Sequence, residues 1–136
     1  MPAKEQQNIR DAAVAGLFYP KEPDRLAAQI DYCLQNAHVE ALGDLKAVIC
    51  PHAGYQYSGV TAAHAYRLIQ GRNIRTVILL APSHYAMFRG AYVTEADVYR
   101  TPLGSVKISK KAATLAEIPP FSRTTCRLCL LQWVLR

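Results

Sequence analysis

The chain has 136 residues, of which 51% are hydrophobic and 19% charged, and its net charge is +6. That is the size and composition of one globular domain rather than a disordered segment, and no apolar run approaches the roughly 20 residues needed to span a bilayer. Half of the excess charge comes from Arg123, Arg127 and Arg136 in an acid-free ending; the rest is scattered without a basic stripe, zinc-finger or RNP-like pattern, so neither a nucleic-acid nor a membrane partner is expected.

The opening "MPAKEQQNIRDAA" is polar, mixes both charges and lacks the apolar centre of a secretory signal, which makes a cytoplasmic location the expectation. "AGLFYP" follows, a turn bracketed by Gly16 and Pro20 whose large apolar residues pin it to a core. "EPDRLAAQIDYCLQNA" reads as a helix: Pro23 suits its first turn, Asp24 its positive end, and Leu26, Ile30, Cys33, Leu34 and Ala37 recur on one face. Residues 47–50 then form a short run apolar on both faces, the signature of a strand covered on both sides. "PHAGYQYSG" reads as a loop, "VTAAHAYRLIQ" as a second helix and "IRTVILLAP" as a second, stronger strand. Strand, helix and strand in that order form a βαβ unit, whose two strands run parallel. "GAYVTEADVYRTPLG" and "SVKIS" read as shorter strands around a Thr-Pro-Leu-Gly turn, and "KKAATLAEI" as a last helix. The fold class is α/β.

Cys33, Cys50, Cys126 and Cys129 are too few and too unevenly placed for a disulfide framework, and reduced thiols are the simpler state. "CRLC" has the spacing of half a zinc site but no second pair to complete it.

The two strand-type runs end alike, in Pro51-His52 and in Pro82-Ser83-His84. Ligands of α/β sheets bind beyond the carboxyl ends of the strands, where Pro51 and Pro82 stop the ladder and place a histidine. If the strands are neighbours, a spacing of about 5 Å, or twice that if one strand intervenes, brings both imidazoles within range of one ion, and imidazole suits iron, zinc and copper. Gly54 and Gly59 would allow a tight path around such a pocket, Tyr55 and Tyr57 would wall it, and Ser83 would support His84 or a bound group. The plainer readings are a polar loop start for each histidine, a packing role for both tyrosines, a partly buried surface position for His64 and a solvated one for His38. No catalytic residue is identified: the "GxSxG", Walker and "GxGxxG" patterns are all absent.

"AGLFYP", "PHAGYQYSG", "APSH" and "YRTPLG", in that order, resemble the motifs of the Memo-like family, also called AmmeMemoRadiSam system protein B. Cys50 and Ala81 depart mildly from the pattern. The resemblance implies a partial mixed or parallel sheet with flanking helices, similar to class III extradiol dioxygenases of the LigB type. It makes His52 and His84 two ligands of a divalent metal, iron first, with zinc and copper as alternatives. A third ligand would come from the second half of the family's chain, so residues 1–121 read as an N-terminal half and residues 122–136 as an aberrant tail produced by a shifted frame or truncation. The expected function is that of a dioxygenase-like metal-dependent oxidoreductase in its full-length form, incomplete here. The other reading is an interaction protein whose pocket takes a peptide or phosphorylated ligand, with Arg89 and Arg100 as anion partners. A small-molecule or peptide ligand, a radical SAM protein and an AMMECR-like protein are the implied partners.

Overall fold

The structure is a computed structural model that describes residues 7–84 and 87–124. It divides into two compact units. One is built from residues 14–78 and is helical; the other takes residues 7–13 together with 79–124 and carries the strands.

In the helical unit, α1 spans Pro23–Gln35 and α2 spans Tyr55–Ile69. Pro23 opens α1, where its missing N–H costs nothing, and Asp24 lies in the first turn. The expected face is the buried one: Leu26, Ile30 and Cys33 lie inside, and Leu26 is fully enclosed. Cys33, Ala37 and Ala63 form the contact with α2, flanked by Leu34 and Val60. Arg67 donates to the Leu34 carbonyl at 2.9 Å and ties the end of α1 to α2.

The second helix begins well before the expected position, so Tyr55, Tyr57 and Gly59 are helical rather than part of a pocket loop. Gly59 serves close approach, not a special turn: a Cβ there would stand 2.7 Å from the Cys33 sulfur. A helix-interior glycine costs backbone entropy, and here that cost is offset by letting two helices meet.

The sheet unit holds five short strands and a helix. β1 (Ile9–Arg10), β3 (Val98–Thr101) and β4 (Gly104–Lys107) form a mixed sheet in the order β1-β3-β4, with β1 parallel and β4 antiparallel to β3. The expected turn joins β3 to β4, and Thr101 Oγ1 donates to the Gly104 carbonyl at 2.8 Å. Val98 is the buried residue of this sheet. Asn8 and Asp97 exchange two bonds of 2.8 Å that fix the entry of β1. β2 (Ala91–Thr94) pairs in parallel with β5 (Phe121–Thr124), and α3 (Lys111–Leu115) lies between them in the chain. Gly90, at φ 89°, lets the backbone reach Pro120, whose carbonyl oxygen a Cβ at this position would strike.

Two expectations fail. Residues 47–50 and 74–82 form no strand, and with them the βαβ unit is absent among the described residues. The reason is that a strand, unlike a helix, satisfies its backbone only through a neighbour, and no described residue pairs with either run. β1 and β5, conversely, escaped the sequence reading. Cys126, Cys129 and Trp133 lie outside the described residues. No helix among the described residues is long and apolar enough to cross a membrane.

Candidate functional site

His52 belongs to the helical unit. It is exposed, in the irregular link between the run 47–50 and α2. The link is anchored on its helical side: Ser58 Oγ donates to the Ala53 carbonyl at 3.1 Å, and the Tyr55 amide donates to the Phe18 carbonyl at 2.8 Å. The second bond joins "AGLFYP" to the start of α2, so two quoted motifs form one structural corner. Tyr55 is buried in it with its ring 5.4 Å from that of Tyr19, while Tyr57 points outward from α2. The packing role holds for Tyr55.

Behind the link lies a contact that the sequence reading passed over. Tyr66 is hydrogen-bonded to the Cys50 thiol, and burial, followed by the proximity of Cys50 and Tyr55, pushes its hydroxyl far above the usual phenol range. Burial likewise raises Tyr19 and Cys33. The available signal was spacing, since Tyr55 and Tyr66 stand about three helical turns apart and therefore share a face of α2. These groups hold their protons at neutral pH and act as neutral hydrogen-bonding and packing groups.

His84 belongs to the sheet unit, exposed after Pro82 and the half-buried Ser83. The other two histidines sit as expected: His38 is exposed, and His64, half-buried on α2, has Nδ1 2.9 Å from the Val60 carbonyl. Arg100 is engaged with Asp11 at 3.2 Å. A cleft of about 390 Å³ opens in the helical unit, lined by Leu17, Phe18, Lys21, Arg25, Gln29 and Gln56 among others. None of the proposed ligands or pocket residues lines it. Among the described residues, no group of three His, Cys, Asp or Glu side chains converges as a metal would require. A closed or facial metal site takes at least three protein donors, so the described donor set does not by itself fit the ion that the two histidines suggest.

The features together define an α/β protein in which two strand-type runs end in proline and histidine. Residues 10–126 match the Memo-like protein family, and the chain belongs to that family. It is 38% identical over 116 residues to a MEMO1 family protein of Methanopyrus kandleri, covering 77% of this chain and 40% of that one. It is 40% identical over 102 residues to Protein MEMO1 of Danio rerio, covering 75% and 34%. A MEMO1 family protein of Nitrosopumilus maritimus shows 36% identity over 110 residues, covering 77% and 40%. The chain therefore spans about two-fifths of the length of the archaeal relatives it matches.

Proposed function

We propose that this chain carries the two-histidine portion of a metal-dependent, dioxygenase-like oxidoreductase of the Memo-like family, on a fold similar to the LigB type. The observation that supports it is the doubled ending: within the matched residues 10–126, both strand-type apolar runs stop at a proline and deliver a histidine, His52 or His84, at once or one residue later. Iron is the preferred ion, with zinc and copper as alternatives, because neutral imidazole serves all three.

The described donors fall short of a full shell, so no catalytic step is derived from these residues. In this reading, further donors come from the part of a Memo-like protein that this chain does not span. Tyr55 and Ser83 then take supporting places near the ligands, and Tyr57 presents its phenol to a bound small molecule or peptide. The companions implied by the AmmeMemoRadiSam system, a radical SAM protein and an AMMECR-like protein, belong to the same proposal.

The test uses the chain as it is. Zn(II) is titrated into the protein while the imidazole signals of all four histidines are followed by NMR. His52 and His84 should respond together, over one concentration range, while His38 and His64 stay unchanged, and His52→Ala should abolish the response of His84. Independent responses, or an equal response of His38, would show that the two histidines do not share an ion.

A further inference from the structure

The cleft of the helical unit is built from one short stretch of chain and one residue of α2. Its lip is the turn of residues 16–20; Arg25 and Gln29, four residues apart and so on one side of α1, line it together with Gln56 from the first turn of α2. The backbone of the turn is already engaged. Gly16, at φ 84°, donates to the Tyr19 carbonyl at 2.7 Å, Leu17 and Phe18 both donate to the Val14 carbonyl at 3.0 Å, and the Phe18 carbonyl accepts from the Tyr55 amide. Recognition in the cleft therefore falls to side chains.

Those side chains are of three kinds. Lys21 and Arg25 are cations and Glu22 is an anion, which leaves one positive charge in excess. Arg25 and Glu22 stand 4.0 Å apart with their side chains 78% and 46% exposed, a pairing too weak to withhold the guanidinium from an incoming carboxylate. Leu17 is 76% exposed and Phe18 half-buried, so the apolar part of the lining has no cover. The third kind is the primary amide. Gln29 Oε1 is enclosed yet accepts no hydrogen bond from any described residue, a state that native proteins avoid. Turning the amide over would enclose its NH₂ instead, so the mismatch stands in either orientation. The group that satisfies a primary amide whichever way it points is another amide, which brings both a donor and an acceptor.

We propose that this cleft binds a small N-acyl amino acid with an apolar side chain. Arg25 and Lys21 hold the carboxylate, Gln29 pairs with the amide with Gln56 beside it, and the side chain rests on Leu17 and Phe18. Glu22 sets the charge limit, because it repels a second carboxylate and so favours a monoanion. At about 390 Å³ the cleft falls within the range of about 300–1,000 Å³ that small-molecule sites occupy. The proposal is independent of the metal reading, since neither His52 nor His84 lines the cleft.

In the experiment, N-acetyl-L-leucine is titrated into the whole chain while backbone and side-chain amides are followed by NMR. Saturable shifts are expected at the side-chain amides of Gln29 and Gln56 and along residues 16–21. N-acetyl-L-leucinamide, which lacks the carboxylate, and N-acetyl-L-aspartate, which carries a second one, should each bind about tenfold more weakly or worse. Arg25→Ala, at an exposed position, should leave the helical circular dichroism unchanged and cost a similar factor; Gln29→Leu, which removes the enclosed oxygen without leaving a hole, should also weaken binding. His52→Ala should leave it intact, so failure of the metal proposal is seen separately. A tetrapeptide ending in leucine presents the same three groups and should bind no more tightly than N-acetyl-L-leucine; tighter binding would overturn the small-molecule assignment in favour of a chain end. The proposal also falls if no saturable shift occurs while the α1 and α2 signals remain those of folded helices, if the leucinamide binds equally well, or if the shifts lie only outside residues 16–29 and 56.

Discussion

The inward face of α1 and the apolar runs that flank α2 are both hydrophobic in sequence, yet they end in opposite states. Along α1, Leu26, Ile30 and Cys33 are buried, whereas Ile49 and Ile78 stand in solvent. The difference is where each element finds its partners. A helix closes its hydrogen bonds within itself and needs only a neighbouring face, and α2 supplies one nearby in the chain. A strand needs another strand for its backbone and a layer on each face for its side chains. The sheet unit shows the same rule from the other side, because β3 forms where β1 and β4 flank it.

The sharpest way to break this comparison is to delete the same kind of side chain in both settings. Leu26→Ala should cost about 2–5 kcal/mol, the usual loss for a fully buried leucine, whereas Ile49→Ala should stay within about 0.5 kcal/mol. Urea unfolding followed at the helical circular dichroism band checks both. A large loss at Ile49 would mean that the run is packed after all.

The Gly59 contact gives a smaller effect. Gly59→Ala gains helix propensity but drives a methyl group against the Cys33 sulfur, and overpacking of that kind costs about 1–3 kcal/mol. The same substitution in a Cys33→Ala background should recover most of the loss. If Gly59→Ala alone is stabilising, the two helices are not in close contact there.

Smaller again is the effect of Arg72, whose guanidinium donates to the Leu42, Gly43 and Leu68 carbonyls. Arg72→Ala removes hydrogen bonds from an exposed guanidinium to three carbonyls that water can reach, so the expected loss is about 1 kcal/mol. Faster limited proteolysis between residues 38 and 46, with unchanged helix content, is the corresponding readout.

The last effect appears only in alkali. Tyr66 and Tyr19 are raised above the ordinary 10.0, and Cys33 above 9.0, each chiefly by burial. Below those ordinary values both folded and unfolded chains keep the protons, and the stabilisation is fully present. Above them the unfolded chain releases protons that the folded one retains, so stability falls as pH rises. Helix content should start to drop near pH 9–10, estimated from those ordinary values, and Tyr66→Phe should move the drop to higher pH. An unchanged onset in that variant would remove Tyr66 from the account.

What could be read from the sequence follows the same division between local and distant partners. α1 was legible because Pro23, Asp24 and the Leu26-Ile30-Cys33 spacing are local signals, and the β3–β4 turn because Thr101 to Gly104 encode it directly. The early start of α2 was not, since Gly54, Tyr55 and Gly59 look like loop residues until Phe18 and Cys33 are seen to need them. The pairing of β2 with β5 joins residues about thirty apart, beyond the reach of any periodicity. Of the candidate site, His52 and His84 stood out in the sequence as residue types able to bind a metal, but no group of three such donors converges among the described residues.

Amide hydrogen exchange on the chain alone tests the central claim most directly, because it reports which backbone groups are hydrogen-bonded within a folded structure. Amides from Leu26 to Cys33 in α1 and from Val60 to Leu68 in α2 should exchange slowly, while those of 47–50 and 74–80, apart from Ile74, whose amide donates locally to Arg72, should exchange near the rate of an unstructured peptide. Protection of the two runs equal to that of the helices would show that they are already paired, and the account of them as unpaired would be wrong.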